Sequence, residues 1–151
     1  MKIRVMNRQD AFVYCCFAHD SPVVMISVTD PFSGDLYRPK ILPDNNVKDI
    51  LYLSFSDAAE PGFDARGNRI RKSNLMTDTD ANRIARFLER NKGIDIIVHC
   101  ENGISASAGI AAAIMQHYTG NADGIFQDSF FHPNMLCFEK TLNALKNGAK
   151  H

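Results

Sequence analysis

The stretch Ile96-Ile97-Val98-His99-Cys100-Glu101-Asn102-Gly103-Ile104-Ser105-Ala106-Ser107-Ala108-Gly109 decides how this chain is read. It opens as a short apolar run with a β-branched core and closes as an Ala-rich helix. Between them lies a tight polar loop carrying Cys100, Gly103 and Ser105, with Ser107 at its exit. A strand that feeds a helix through such a loop builds an anion site. Backbone N–H groups converge there, and the helix N-terminus adds partial positive charge. The same field lowers the pKa of a thiol at the start of the loop, so Cys100 is a candidate thiolate nucleophile.

Outward from that stretch, apolar runs alternate with helical patterns. Residues 3–6 and 23–28 read as strands, the second bounded by Ser21-Pro22 and Asp30-Pro31. Residues 50–55 are the next strand and residues 94–99 the central one, buried on both faces. Asn7 can cap a helix over residues 8–17. Residues 77–91 form a helix with Thr77, Asp78 or Thr79 as its cap, Gly93 beyond its end, and Ala81, Ile84, Ala85 and Leu88 as its inner stripe. Residues 107–119 follow the central strand as a helix ending at Gly120. Residues 134–147 are the last helix, with Met135, Phe138, Leu142 and Leu145 as its apolar face. The segment 30–44 holds Pro31, Gly34, Pro39 and Pro43 and reads as an exposed loop, and residues 45–49 as a turn of helix. Residues 58–74 are a long polar connection carrying Arg66, Arg69 and Arg71. Loops of that length in compact domains are often lids or binding loops, although a solvated basic loop fits equally well.

This alternation predicts an α/β fold with a central, mostly parallel, four- to five-stranded sheet flanked by helices. A chain of 151 residues fits a single domain over 1–151. Ligands of such sheets bind at the carboxyl ends of the strands, where both Cys100 and Asp57 lie.

Composition narrows the function. Apolar residues make up 45% of the chain, which argues against disorder. Lys plus Arg number 17 and Asp plus Glu 17, so the basic surplus of a nucleic-acid binder is missing. No stretch approaches a membrane span, and MKIRVMNRQD lacks the apolar core of a signal peptide, which predicts a cytoplasmic protein with no membrane partner. The four cysteines, Cys15, Cys16, Cys100 and Cys137, match no zinc spacing, and no disulfide is expected. Cys15, Cys16 and Cys137 read as ordinary small apolar residues.

The loop resembles the phosphate-binding loop of the cysteine-dependent protein tyrosine and dual-specificity phosphatases, whose pattern is His-Cys, five residues, Arg, then Ser or Thr. His99, Cys100, Gly103 and Ser107 match. The Arg position holds Ala106. Supporting likenesses to small bacterial or phage enzymes are Ile26-Ser27-Val28-Thr29-Asp30-Pro31, Phe55-Ser56-Asp57 and Pro133-Asn134.

The resemblance implies a protein tyrosine phosphatase-like fold and a role for each loop residue. Cys100 is the nucleophile and His99 fixes the loop from behind. The backbone of Glu101, Asn102, Gly103, Ile104, Ser105 and Ala106 cradles a phosphate or sulfate ion. Ser107 hydrogen-bonds the sulfur, with a plain helix N-cap as its alternative reading. Asp57 is the acid for the leaving group, and Asp64 is the runner-up. No metal or organic cofactor is implied, because nucleophile and acid are both side chains. The substrate is a phosphorylated protein or a small phosphate ester.

The missing Arg is the departure that matters. A guanidinium grips two phosphate oxygens in a planar fork that Ala cannot supply. Losing one oxyanion donor alone costs roughly 10²–10³ in kcat. No Arg follows Arg90, so a substitute would have to come from Arg66, Arg69, Arg71 or Arg38. Two readings follow: a phosphatase whose activity is strongly impaired, or a pseudophosphatase that binds phosphorylated ligands or protein partners without cleaving them. Sulfur transfer on a rhodanese-like domain shares the strand-Cys-loop-helix outline, but the His99-Cys100 pair, Ser107 and Asp57 favour the phosphatase side.

Overall fold

In the computed structural model, which describes residues 1–33 and 38–148, four parallel strands form the central sheet. In chain order the elements are β1 (Ile3–Asn7), α1 (Arg8–Cys15), β2 (Val23–Thr29), β3 (Val47–Ser54), the short β4 (Gly62–Phe63) and β5 (Arg69–Ile70), a 3₁₀ turn at Lys72–Asn74, α2 (Asp78–Arg90), β6 (Asp95–Cys100), α3 (Ala106–Thr119), α4 (Asp123–Phe126) and α5 (Met135–Lys146). The sheet order is β1-β6-β2-β3, so β6 lies inside the sheet between β1 and β2.

Strand alternation divides the core. Val24, Ile26 and Val28 of β2 and Ile96, Val98 and Cys100 of β6 face the larger apolar cluster, which α2, α3 and α5 cover. Val23, Met25 and Ile97 face the smaller cluster with Ala11 and Cys15 of α1. Both faces of β2 and β6 are therefore covered, which is why these strands read as continuous apolar runs rather than alternating ones. Parallel strands place all their carboxyl ends on one edge. Asn7 lies across from Cys100, and Ser27 across from His99.

The helix caps follow the sequence chemistry. Asn7 Oδ1 accepts from Asp10 N at 2.7 Å. Thr77 is the cap of α2 among the three candidates: its Oγ1 accepts from Asp80 N at 3.1 Å, and Asp80 Oδ2 accepts from Thr77 N at 2.9 Å. Ala81, Ile84, Ala85 and Leu88 are buried as the stripe predicts, and Phe87 joins them.

Several expectations need correction. Residues 45–49 are not a turn of helix. Asp44 and Asn46 adopt positive φ of 62°, and β3 starts at Val47. Asn45 turns the chain with its side chain, donating to Cys15 O at 3.0 Å and accepting from Val47 N at 3.1 Å. Local side-chain bonds of this kind outcompete a helix. The connection 58–74 is not wholly irregular, because β4 and β5 pair across a turn built on Asp64. Of the apolar face expected on α5, Leu145 is buried and Phe138 packs half-buried against the core, but Met135 is exposed, and Cys137, Thr141 and Ala144 complete the buried side. Small residues face inward because α5 crosses α3 tightly: a Cβ on Gly109 would sit 2.4 Å from Asn134 O and 3.2 Å from Cys137 Cβ. Within the segment 30–44, Gly34 lies outside the described residues.

Candidate active site

The loop between β6 and α3 is held from both sides. Gly103 has φ +69°, and a Cβ there would lie 2.7 Å from Asn7 N and 2.8 Å from Met6 C. The back of the loop therefore presses on the β1–α1 junction at a distance only glycine permits. Arg8 N donates to Glu101 O at 3.2 Å, and Arg8 Nη1 lies 3.0 Å from Glu101 Oε2. On the other side, His132 N donates to Ile104 O at 2.9 Å and Asn134 N to Ser105 O at 3.0 Å. Among the described residues, the N–H groups of Asn102, Gly103, Ile104 and Ser105 meet no protein acceptor. Backbone donors in that state take water or an anion. A cleft of about 650 Å³ opens beside the loop between Arg8, Gln9, Phe12, Glu101 and Asn102.

His99 is fully buried behind this loop. Its Nδ1 is 3.3 Å from Cys100 O and its Nε2 is 2.6 Å from Ser27 Oγ. A carbonyl can only accept, which assigns the proton to Nδ1, so Nε2 accepts from the Ser27 hydroxyl. Burial pulls the His99 pKa down to about 4, and the nearby Arg8 charge adds to the effect against the bond to Cys100 O. The imidazole is therefore neutral near pH 7, with a fixed tautomer.

Cys100 Sγ lies 3.0 Å from Ser107 Oγ. Ser107 is not the helix N-cap. Helix α3 begins at Ala106, its cap position is Ser105, and the Ser107 side chain is buried inside the first turn against the sulfur. Cys137 is also buried, and desolvation pushes its thiol far up. Cys15 is pushed up to about 11 for the same reason, while Cys16 is exposed.

Asp57 reaches the loop from the β3 side. Its Oδ1 accepts from Ser105 Oγ at 2.9 Å and from Asn134 Nδ2 at 2.9 Å, and its Oδ2 accepts from Ala106 N at 3.1 Å. Ser105 makes no capping bond of its own, so Asp57 serves as the cap of α3 from outside the helix. Asp64 is elsewhere. Its carboxylate accepts from Asn68 Nδ2, Asn68 N and Arg66 N, and the Asn68 side chain leads the interactions that lower its pKa. It builds the β4–β5 turn.

The cation the structure sets against the loop is Arg8. The sequence did not single it out, and only the neighbouring of β1 and β6 reveals it. Among the described residues, no hydrogen bond or ion pair joins Arg38, Arg66, Arg69 or Arg71 to residues 100–107. The Arg38 guanidinium lies over the Tyr52 ring, 3.8 Å from its centre. Ala106 is fully buried, and no group of three or more His, Cys, Asp or Glu among the described residues is arranged to hold a metal ion.

No protein-family model matches the chain, and no curated protein matches it. Solved structures do. Human DUSP28 superposes with a TM-score of 0.58 at 14% identity, covering 96% of this chain and 92% of that one. The fold is that of the dual-specificity and tyrosine phosphatases. PTPMT1 in complex with PI(5)P gives 0.57 at 13% identity, covering 97% and 91%. The human tyrosine phosphatase-like serine/threonine/tyrosine-interacting protein gives 0.52 at 16%, covering 84% and 76%. In this phosphatase fold the loop 100–106 stands at the carboxyl edge of the parallel sheet, and no helix among the described residues is long and apolar enough to cross a membrane.

Proposed function

We propose that the chain is a cysteine-dependent phosphatase of the tyrosine or dual-specificity type. Its loop 100–106 takes the phosphate group of a phosphorylated protein or a small phosphate ester, and its turnover is strongly impaired by Ala106. The observation that carries the reading is the contact of Cys100 Sγ with Ser107 Oγ at 3.0 Å, at the base of a loop in which, among the described residues, the N–H groups of Asn102, Gly103, Ile104 and Ser105 meet no protein acceptor. PTPMT1, which shares the fold, has been solved with a phosphoinositide, a phosphate ester.

The chemistry uses side chains alone. The Cys100 thiolate attacks phosphorus, an S–P bond forms, and the P–O ester bond breaks as Asp57, in its protonated form, gives its proton to the leaving oxygen. Water then attacks the phosphocysteine and gives a proton to the Asp57 carboxylate left by the first step, which restores the acid. The S–P bond breaks, inorganic phosphate leaves, and Ser107 O–H donates to the departing thiolate. Neutral His99 holds the loop through Cys100 O and takes no proton. To act as the acid, Asp57 must leave the three donors that hold its oxygens. We assign the protein to one domain and to the cytoplasm, where reducing conditions keep a thiol such as Cys100 free.

The second reading, a pseudophosphatase that binds phosphorylated ligands without cleaving them, draws on Ala106: nothing on this residue can grip the transferring phosphoryl group. Steady-state hydrolysis of p-nitrophenyl phosphate separates the two. The chain as given turns over slowly, Ala106→Arg gains at least about 10²-fold, and Cys100→Ser added to that variant abolishes the gain. Turnover by Ala106→Arg that survives Cys100→Ser sinks the thiolate mechanism. Tungstate binding without turnover in either form supports the pseudophosphatase.

A further inference from the structure

Asp57 takes up a backbone donor of the loop, the Ala106 N–H. The last backbone donor of the loop, Ala106 N–H, is also the first of α3, and a phosphate in the cradle would use it together with the helix terminus. That N–H points at Asp57 Oδ2 at 3.1 Å. The carboxylate is not a chance visitor. Its neighbours along the chain are pinned: Phe55 N donates to Thr29 O at 3.1 Å and Ser56 N to Asn74 O at 2.7 Å, and both residues are buried. The amide that donates to Oδ1 is equally fixed. Asn134 is 6% exposed, and its Oδ1 accepts from Leu136 N at 3.0 Å and Cys137 N at 3.2 Å, so its Nδ2 has one direction to point. Ser105 Oγ closes the third side.

We propose that Asp57, clamped by Ser105, Asn134 and the Ala106 N–H, is a built-in competitor for the anion seat, so that phosphate binds only by displacing it. Two anions cannot share one seat. A carboxylate and a phosphate within hydrogen-bond reach of the same N–H repel, and with Ala106 in place of Arg no side chain at that position offsets the repulsion. Asn134 thereby becomes a positioning residue for Asp57, acting from the N-terminus of α5 on a loop that ends at α3. The inference deepens the phosphatase reading and rests on it: the seat is regulated by its own acid residue.

The test uses the full chain, tungstate as the phosphate-like oxyanion and calorimetric titration. Asp57→Asn removes the charge and keeps the shape, and Asp57→Ala removes both. Each should tighten tungstate binding by at least about tenfold relative to the parent, with Asn134→Ala giving a smaller gain in the same direction. If the parent binds tungstate and folded Asp57→Ala binds it no more tightly, the proposal is overturned. A second readout stands apart from the phosphate assignment: alkylation of Cys100, compared between iodoacetate and iodoacetamide and localised by mass spectrometry. The competitor predicts that Asp57→Asn accelerates the anionic reagent more than the neutral one, whereas a merely structural role moves both alike. If no form binds tungstate yet iodoacetate alone is accelerated, the competitor stands and the phosphate reading falls. If both reagents respond equally, the competitor falls.

Discussion

Lowering the pH should unfold this protein through His99. The imidazole is buried and neutral in the folded chain with a pKa near 4, against about 6.5 once exposed. Between those values the unfolded chain binds a proton that the folded chain refuses. Stability from this group is fully present above pH 6.5 and is lost as pH falls from 6.5 towards 4. The slope approaches about 1.4 kcal/mol per pH unit, and the whole window amounts to about 3 kcal/mol, a large share of a typical domain's stability. Urea melts at half-unit pH steps from 7.5 to 4.5 measure it, in parent and in His99→Asn. The variant should be less stable at pH 7.5, because it loses the bonds to Ser27 and Cys100 O, but it should lack this slope. Carboxylates also titrate near the lower end of the range, so the quantity to read is the difference between the two slopes above pH 5. Equal slopes would show that His99 takes up its proton in the folded state and would refute the burial argument.

Three glycine-to-alanine variants probe the backbone. Gly103 and Gly120 share positive φ, +69° and +77°, but only Gly103 has backbone within 3 Å of the missing Cβ. Gly120→Ala should therefore cost about 1 kcal/mol of backbone strain, and Gly103→Ala a further 1–3 kcal/mol, roughly, from overpacking, with loss of tungstate binding. Equal losses in urea melts would refute the close approach. Gly109→Ala should lower Tm although alanine is the better helix former, because a Cβ 2.4 Å from Asn134 O forces α3 and α5 apart. The gain in propensity is about 1 kcal/mol and the overpacking roughly 1–3 kcal/mol. A raised Tm would mean that the crossing is looser than described.

The local pattern carried much of the structure. The buried strands were legible as apolar runs, and the caps at Asn7 and Thr77 as short polar side chains ahead of helical periodicity. The Cys100 loop stood out because His99, Gly103 and Ser107 sit at fixed offsets around it. Where the reading failed, a contact from outside the segment had won. Asn45 makes a turn because it reaches Cys15 O, 30 residues away in the chain. Helix α5 buries Cys137, Thr141 and Ala144 rather than Met135 because Gly109 of another helix lets it approach.

The amino-acid sequence by itself determined the α/β class, the strand-loop-helix around Cys100 and the residue types available for anion chemistry, since each depends on periodicity or spacing within a few turns of chain. Tertiary structure alone decided the strand order that sets Arg8 beside Glu101, the placement of Asp57 at the Cys100 loop and of Asp64 in the β4–β5 turn, and the meeting of Asp57 with Ser105 and Asn134, which lie 48 and 77 residues away. Contacts of that separation are set by how the sheet and helices stack, and no local pattern encodes them.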